Sequence, residues 1–387
     1  DPDIFIDNHV SNGADYQHIM TVLTTQHNKL GSALGEFLNK DFEPALYADM
    51  KNKGFDLAPY VNVFGNTPEQ GWTEFYDGPR YSSGYAALWH CLAFVPETHM
   101  LKPYPDRVKA TYAFMETMIR TGSAKSRQIR TLRSHMKKAS LAAKSFPIQW
   151  KPDRNAYSEV TFKGFEAGRK PSEISGHPRL YYDRNKPFTR QIKFYNTYTP
   201  ALEVEKPKAY ILPQGWWKVR ELLKINNVIM RPLLKDTTIE VDVYRIESYR
   251  SSPRPFEGHH LNSDVKVSVS RQKLNFRKGD LYIPMNQEAN RFILEVLEPQ
   301  APDSYFAWNF FDPVLTQKEG YSSYVFEETA AEYLKVNPQL KDKLEQKKAA
   351  DSAFAKSGSA QLNYIYENSH YFEPAYLRYP VYRVPED

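Results

Sequence analysis

Ile4-Phe5-Ile6-Asp7-Asn8-His9-Val10-Ser11 carries the strongest structural signal in this 387-residue chain. Three consecutive apolar residues read as a buried strand, and Asp7-Asn8-His9 marks its polar exit. Open α/β sheets gather ligands and metals at the carboxyl ends of their strands, which makes His9 a candidate ligand. Only Asp1-Pro2-Asp3 precede the strand, with no initiator methionine and no signal-peptide pattern. The sequence therefore reads as beginning at a processed, cut or truncated end.

Outward from that strand, helix and strand signals alternate. Ile19, Leu23, Leu30, Leu34 and Phe37 are spaced for one face of a helix that Asp15 would cap. A shorter helix passes through Leu46 and Met50 and stops at Gly54, and residues 60–64 predict another strand. A Gly/Pro/Tyr-rich loop fills residues 65–85, a length usually kept for function. Residues 86–95 read as a buried strand, followed by a helix marked by Val108, Tyr112, Met115 and Ile119. This alternation predicts an α/β domain over residues 1–145, a mixed sheet with flanking helices. Residues 123–144 form a basic helix, with Lys125, Arg127, Arg130, Arg133, Lys137, Lys138 and Lys144 and no acidic residue. Its apolar side of Ile129, Leu132 and Met136 favours a solvated connecting helix over a polyanion-binding face.

The texture changes after Ser145. Residues 192–195, 239–246, 265–269 and 292–297 are short apolar or alternating runs between turns, the pattern of a β-sandwich-like domain over 146–300. Helix returns over 301–387, at residues 326–336 and again from Pro338 through Leu340, Leu344 and Phe354. A Tyr- and Pro-rich tail over 362–383 is expected to wrap back onto a domain.

Composition narrows the class. Hydrophobic residues are 41% and charged residues 25%, which excludes a mostly disordered chain. A net charge of +5 is too mild to argue for nucleic acid, and no apolar run is long enough to span a bilayer. The single cysteine, Cys91, excludes intrachain disulfides and cysteine-held zinc, and its apolar surroundings make it inert core. His259-His260 read as polar loop, and Trp216-Trp217 either as a stacking platform or as a buried domain junction.

Three features place chemistry in the first domain: Asp7-Asn8-His9, Phe94-Val95-Pro96-Glu97-Thr98-His99 and the loop ending Arg80-Tyr81-Ser82-Ser83-Gly84. Together they resemble the later half of the catalytic domain of carboxypeptidase-A-like zinc metallopeptidases. The likeness is to large members from Bacteroidota-type bacteria, whose β-rich and helical tails are similar to Pro213-Gln214-Gly215-Trp216-Trp217-Lys218-Val219, Pro299-Gln300-Ala301-Pro302-Asp303-Ser304 and Glu319-Gly320-Tyr321.

The resemblance implies hydrolysis of peptide bonds by metal-activated water. It makes His9 a zinc ligand and Glu97 the group that takes the water proton and passes it to the leaving amine. Tyr81 becomes the substrate-closing and substrate-binding phenol, with Tyr85 the competing choice. It also implies a peptide or protein substrate and a secreted or cell-envelope location. The family's H-x-x-E ligand pair precedes its later histidine, yet none of the eight residues before His9 is His, Glu or Arg. The H-x-x-E of this sequence, His370-Tyr371-Phe372-Glu373, falls in the tail. The remaining zinc ligands are thus expected from an N-terminal part outside this sequence, or from a separate piece. The alternative is a non-catalytic, peptidase-like scaffold serving as a binding or assembly subunit of an envelope complex.

Overall fold

The computed structural model describes residues 2–386 and is a mixed α/β protein with four sheets. Its N-terminal part runs β1 (Ile4–Ile6), β2 (His9–Ser11), β3 (Met20–Thr24), α1 (Ser32–Phe37), α2 (Glu43–Asn52), β4 (Ala58–Pro59), β5 (Trp72–Thr73), α3 (Ser82–Leu88), β6 (Leu92–His99), α4 (Tyr104–Ala124) and α5 (Ser126–Ala142). β6 is the spine of a mixed sheet: β1 and β2 pair with it in parallel along one edge, and β3 pairs antiparallel along the other.

Strand periodicity gives this sheet two different faces. Ile4, Ile6, Met20, Val22, Leu92 and Phe94 turn to one side, into a core with Leu34 and Leu46, with Phe114 of α4 and with Ile129 of α5. The opposite face carries Phe5, Ala93 and Cys91, packed against Ala86 of α3, and further along the strands it carries His9 and Glu97.

Two sequence expectations give way here. The helix expected from Asp15 is strand β3, then α1 and α2 joined through a π-turn at Leu38–Phe42; buried strands with mixed residues can mimic helical spacing. The strand expected at 86–95 is the end of α3, a turn through His90 at φ +56°, and then β6. Arg133 of the basic helix fixes that turn, donating to His90 O (2.8 Å) and Trp89 O (3.2 Å). Lys125 and Lys137 pair with Asp41 and Glu288, so this helix is tied into the fold.

The middle of the chain contains β7 (Ser145–Pro152), β8 (Ser158–Pro171), β9 (Pro178–Tyr195), β10 (Tyr198–Glu205), β11 (Ala209–Leu212), α6 (Trp217–Ile225), β12 (Arg231–Pro232), β13 (Thr237–Ser251), β14 (Asn262–Phe276), β15 (Leu281–Pro284) and α7 (Asn290–Leu297). Then come α8 (Ser323–Val336), α9 (Pro338–Ala350), α10 (Ser352–Ala355), α11 (Gly358–Glu367) and β16 (Tyr382–Val384). The sandwich expected over 146–300 takes another form. A six-stranded sheet in the order β12-β15-β11-β16-β13-β14 is backed by α6, α7 and residues 301–315. The continuous apolar run 292–297 is α7, since a short buried run does not distinguish strand from helix.

The cores also cross the expected boundaries at 145 and 300. Phe162, Ile192 and Phe194 of the β8–β9 hairpin pack with Tyr16, Val61 and Trp72, while Tyr305, Phe306 and Phe311 belong to the core of the six-stranded sheet. Helices α8 to α11 have their own core around Phe326, Leu344, Phe354 and Tyr366. The tail does return: β16 inserts between β11 and β13. Among the described residues no helix is long and apolar enough to cross a membrane.

Candidate active site

The parallel register of β2 on β6 sets His9 directly beside Glu97, on the same face of the sheet. Thr21 of β3 flanks Glu97 from the other side. Asp7, two residues before His9, holds its imidazole: Oδ1 lies 3.1 Å from His9 Nε2. The other oxygen of Asp7 accepts a 2.6 Å hydrogen bond from the Ser82 hydroxyl, which ties the first residue of α3 to the edge of the sheet.

Glu97 is half-buried, and its Oε2 is enclosed without a hydrogen-bond partner among the described residues. Burial pushes its carboxyl above the usual range; His9 pulls it back, and the negative charge of Asp7 adds to the rise. A carboxylate raised in this way holds its proton more readily than a free one, as a group that accepts and returns a proton must.

Tyr81 sits at the N-terminal end of α3, 40% exposed, with its ring edge-on to Phe75 (4.9 Å). Phe75 in turn meets Tyr60 at 6.1 Å. Burial raises the Tyr60 phenol, and Glu97 and Tyr81 raise it further, so these three groups share one electrostatic neighbourhood. Tyr85 faces elsewhere: its hydroxyl donates to Asn226 Oδ1 (2.7 Å), and its ring packs on Trp89 and Phe292.

Charged pairs fix the loop at two points just before Tyr81. Asp77, fully buried, pairs with Lys29 at 2.5 Å, and Arg80 donates from Nε to Asp303 Oδ1 at 2.6 Å. Ser82 also lines a cavity of about 780 Å³ between α3 and residues 225–229 and 286–289, walled by Phe5, Tyr85 and Trp89.

The side chains present here do not by themselves make a zinc site. A catalytic zinc is held by three protein donors plus water. Here one imidazole faces one free carboxyl, with Asp7 already engaged by His9 and Ser82. Among the described residues no group of three or more His, Cys, Asp or Glu is arranged to hold a metal. His370 and Glu373 are used otherwise. The His370 ring packs on Tyr333 and Tyr371, and Glu373 Oε2 accepts the backbone N–H groups of Lys318 (2.7 Å) and Glu319 (3.1 Å). Cys91 is buried, its thiol pushed up to about 11 by desolvation.

Three participants went unassigned in the sequence. Asp7 was legible in principle, because residues two apart on a strand share a face. Ser82 and Tyr60 reach the site through tertiary packing of α3 and of the segment after β4, which no local pattern encodes. No family model, no curated protein and no solved structure matches this chain.

Proposed function

We propose that the face bearing His9 and Glu97 is one half of a peptide-hydrolysing centre, and that this chain is the C-terminal portion of a metallocarboxypeptidase-type enzyme of the cell envelope or exterior. The observation that carries the reading is the register pairing of His9 with Glu97, whose enclosed carboxylate oxygen has no partner among the described residues. Glu97 takes a proton from the water whose oxygen attacks the scissile carbonyl carbon. It then delivers that proton to the amine nitrogen as the C–N bond breaks. Tyr81, exposed at the rim beside Phe75, closes over the bound peptide. The zinc that the resemblance implies needs donors beyond these residues, so they come from polypeptide outside this sequence.

The test is product analysis with the intact natural protein and an unblocked peptide. Release of single C-terminal residues, abolished by a chelator and restored by zinc, is the expected result. Persistent failure to cleave, with no bound metal, contradicts it.

A second reading has its own support. Asp7 already occupies His9 Nε2, and the described residues lack a three-donor cluster, as suits a peptidase-like scaffold that binds a partner without turnover. Absence of metal from the intact protein favours this scaffold.

A further inference from the structure

The outer edge of the N-terminal sheet is open, and uncovered apolar surface bounds it on both faces. Among the described residues β1 and β2 each pair with β6 and with no other strand. A parallel-pairing run such as Ile4-Phe5-Ile6 has the composition of a strand covered on both faces, yet all three residues are only half-buried. Neither a charge nor a proline, the usual guards of a free edge, interrupts β1.

Helix α4 overhangs this edge. A Cβ on Gly122 would fall 2.9 Å from Ile4 Cδ1, and Asn8 Nδ2 donates to Met115 Sδ at 3.9 Å. Tyr104, Val108, Tyr112 and Ile119 recur at helical spacing beside Met115 and Gly122, so they form one stripe on the β1 side of α4. That stripe faces solvent: Tyr112 is 72% exposed and Ile119 71%. The polar flank of α4 lies on the other side, where Glu116 pairs with Lys53 and Arg120 with Asp49, around the end of α2. An apolar seam running about four turns along a helix is the surface on which a second helix packs. On the opposite face of the sheet, the cavity of about 780 Å³ opens beside Pro2 and Phe5.

We propose that polypeptide outside this sequence docks on this edge, adding a strand parallel to β1 and laying a helix along the α4 stripe. The choice of occupant rests on the peptidase reading. The further donors which that reading requires must reach His9, and β3 and β4 already fill the sheet on the other side of β6. A strand parallel to β1 ends beside His9, at the carboxyl edge where such sheets gather ligands. The rival occupant is a second copy of this chain. A two-fold axis joining two copies through β1 would set cavity beside cavity, so two hollows would meet and neither would be filled. A strand–helix unit of different shape has no such conflict.

The experiment is photo-crosslinking in the intact natural protein, with benzoylphenylalanine in place of Tyr112 and, as a control, in place of Tyr324, which is 82% exposed on α8. Hydrogen exchange of residues 4–11 is compared between the intact protein and the 387-residue chain alone. The Tyr112 probe, and not the Tyr324 probe, is expected to link to polypeptide outside residues 1–387. Amides of β1 should exchange at least about tenfold more slowly in the intact protein. Ile119→Lys keeps helix propensity, so it should leave the melting temperature of the lone chain unchanged and lower that of the intact protein. Linkage to a second copy of residues 1–387, no linkage, or equal exchange in the two proteins overturns the proposal. Metal content is measured on the same samples. Linkage without bound metal contradicts the peptidase reading and leaves the interface standing, whereas bound metal without linkage contradicts the interface alone.

Discussion

Among the buried carboxyl groups, Glu43 shows most simply how enclosure sets protonation. The residue retains some exposed surface, yet its carboxyl is desolvated and pushed up to about 7, with Tyr47 on its own helix and Glu74 from the segment after β5 beside it. Between the ordinary carboxyl range and about 7 the folded protein holds a proton that the unfolded chain has released. Stability contributed by that proton is present at low pH and is lost as pH rises through the window. Glu43→Gln stays neutral throughout, so it should melt with the wild type near about pH 4 and several degrees above it near about pH 8. Equal melting at both ends would mean that Glu43 ionises freely. Glu97 shares the upward direction but has His9 opposing it, which keeps it available for proton exchange. At this scale the sequence placed His9 and Glu97 at strand exits, whereas His9 opens β2 and Glu97 lies within β6. It was silent on Glu43 and Glu74, whose environment exists only after helix α2 and the segment after β5 meet.

Helix α3 is the element on which the site depends. It carries Tyr81 at its start, Ser82 bound to Asp7, and Ala86 against the sheet. Its placement rests on a close backbone approach at Gly84, where a Cβ would fall 2.0 Å from Gly78 O and 2.3 Å from Asp77 O. Both contacts are backbone, on a loop already pinned by the buried Lys29–Asp77 pair, so neither gives way cheaply. Gly84→Ala should therefore destabilise the protein by about 1–3 kcal/mol in a denaturant melt. A neutral Gly84→Ala would show that α3 is free to slide. The sequence hid this element because its apolar residues run straight into those of β6, and only the left-handed turn at His90 separates them. Helices α5 and α8 were legible from their periodicity; α4 was expected as a helix, but Val108, Tyr112 and Ile119, which marked it, are exposed, and Ala110, Phe114 and Met118 are its buried face. The β-rich region was legible as strands but not as a sheet backed by helices, since alternation states that one face is buried and not what buries it.

Across the whole molecule, the loop that bears Tyr81 touches three parts of the fold, through Trp72 in one core and through the ion pairs Lys29–Asp77 and Arg80–Asp303. The N-terminal sheet supplies His9 and Glu97, the β8–β9 hairpin packs behind Trp72, and the layer backing the six-stranded sheet reaches over through Asp303 to Arg80 and through Arg291 to Ala87 O. The joining contacts lie far apart in sequence, Arg80 and Asp303 by 223 residues, beyond the reach of any local pattern. The hydrolytic account stands on Glu97 as proton carrier, and the direct measurement is turnover of an unblocked peptide by the intact natural protein and by its Glu97→Gln variant, with metal content determined on both. The account predicts unchanged metal and a fall in kcat of about 10²–10⁴-fold; equal turnover by the two proteins would contradict it.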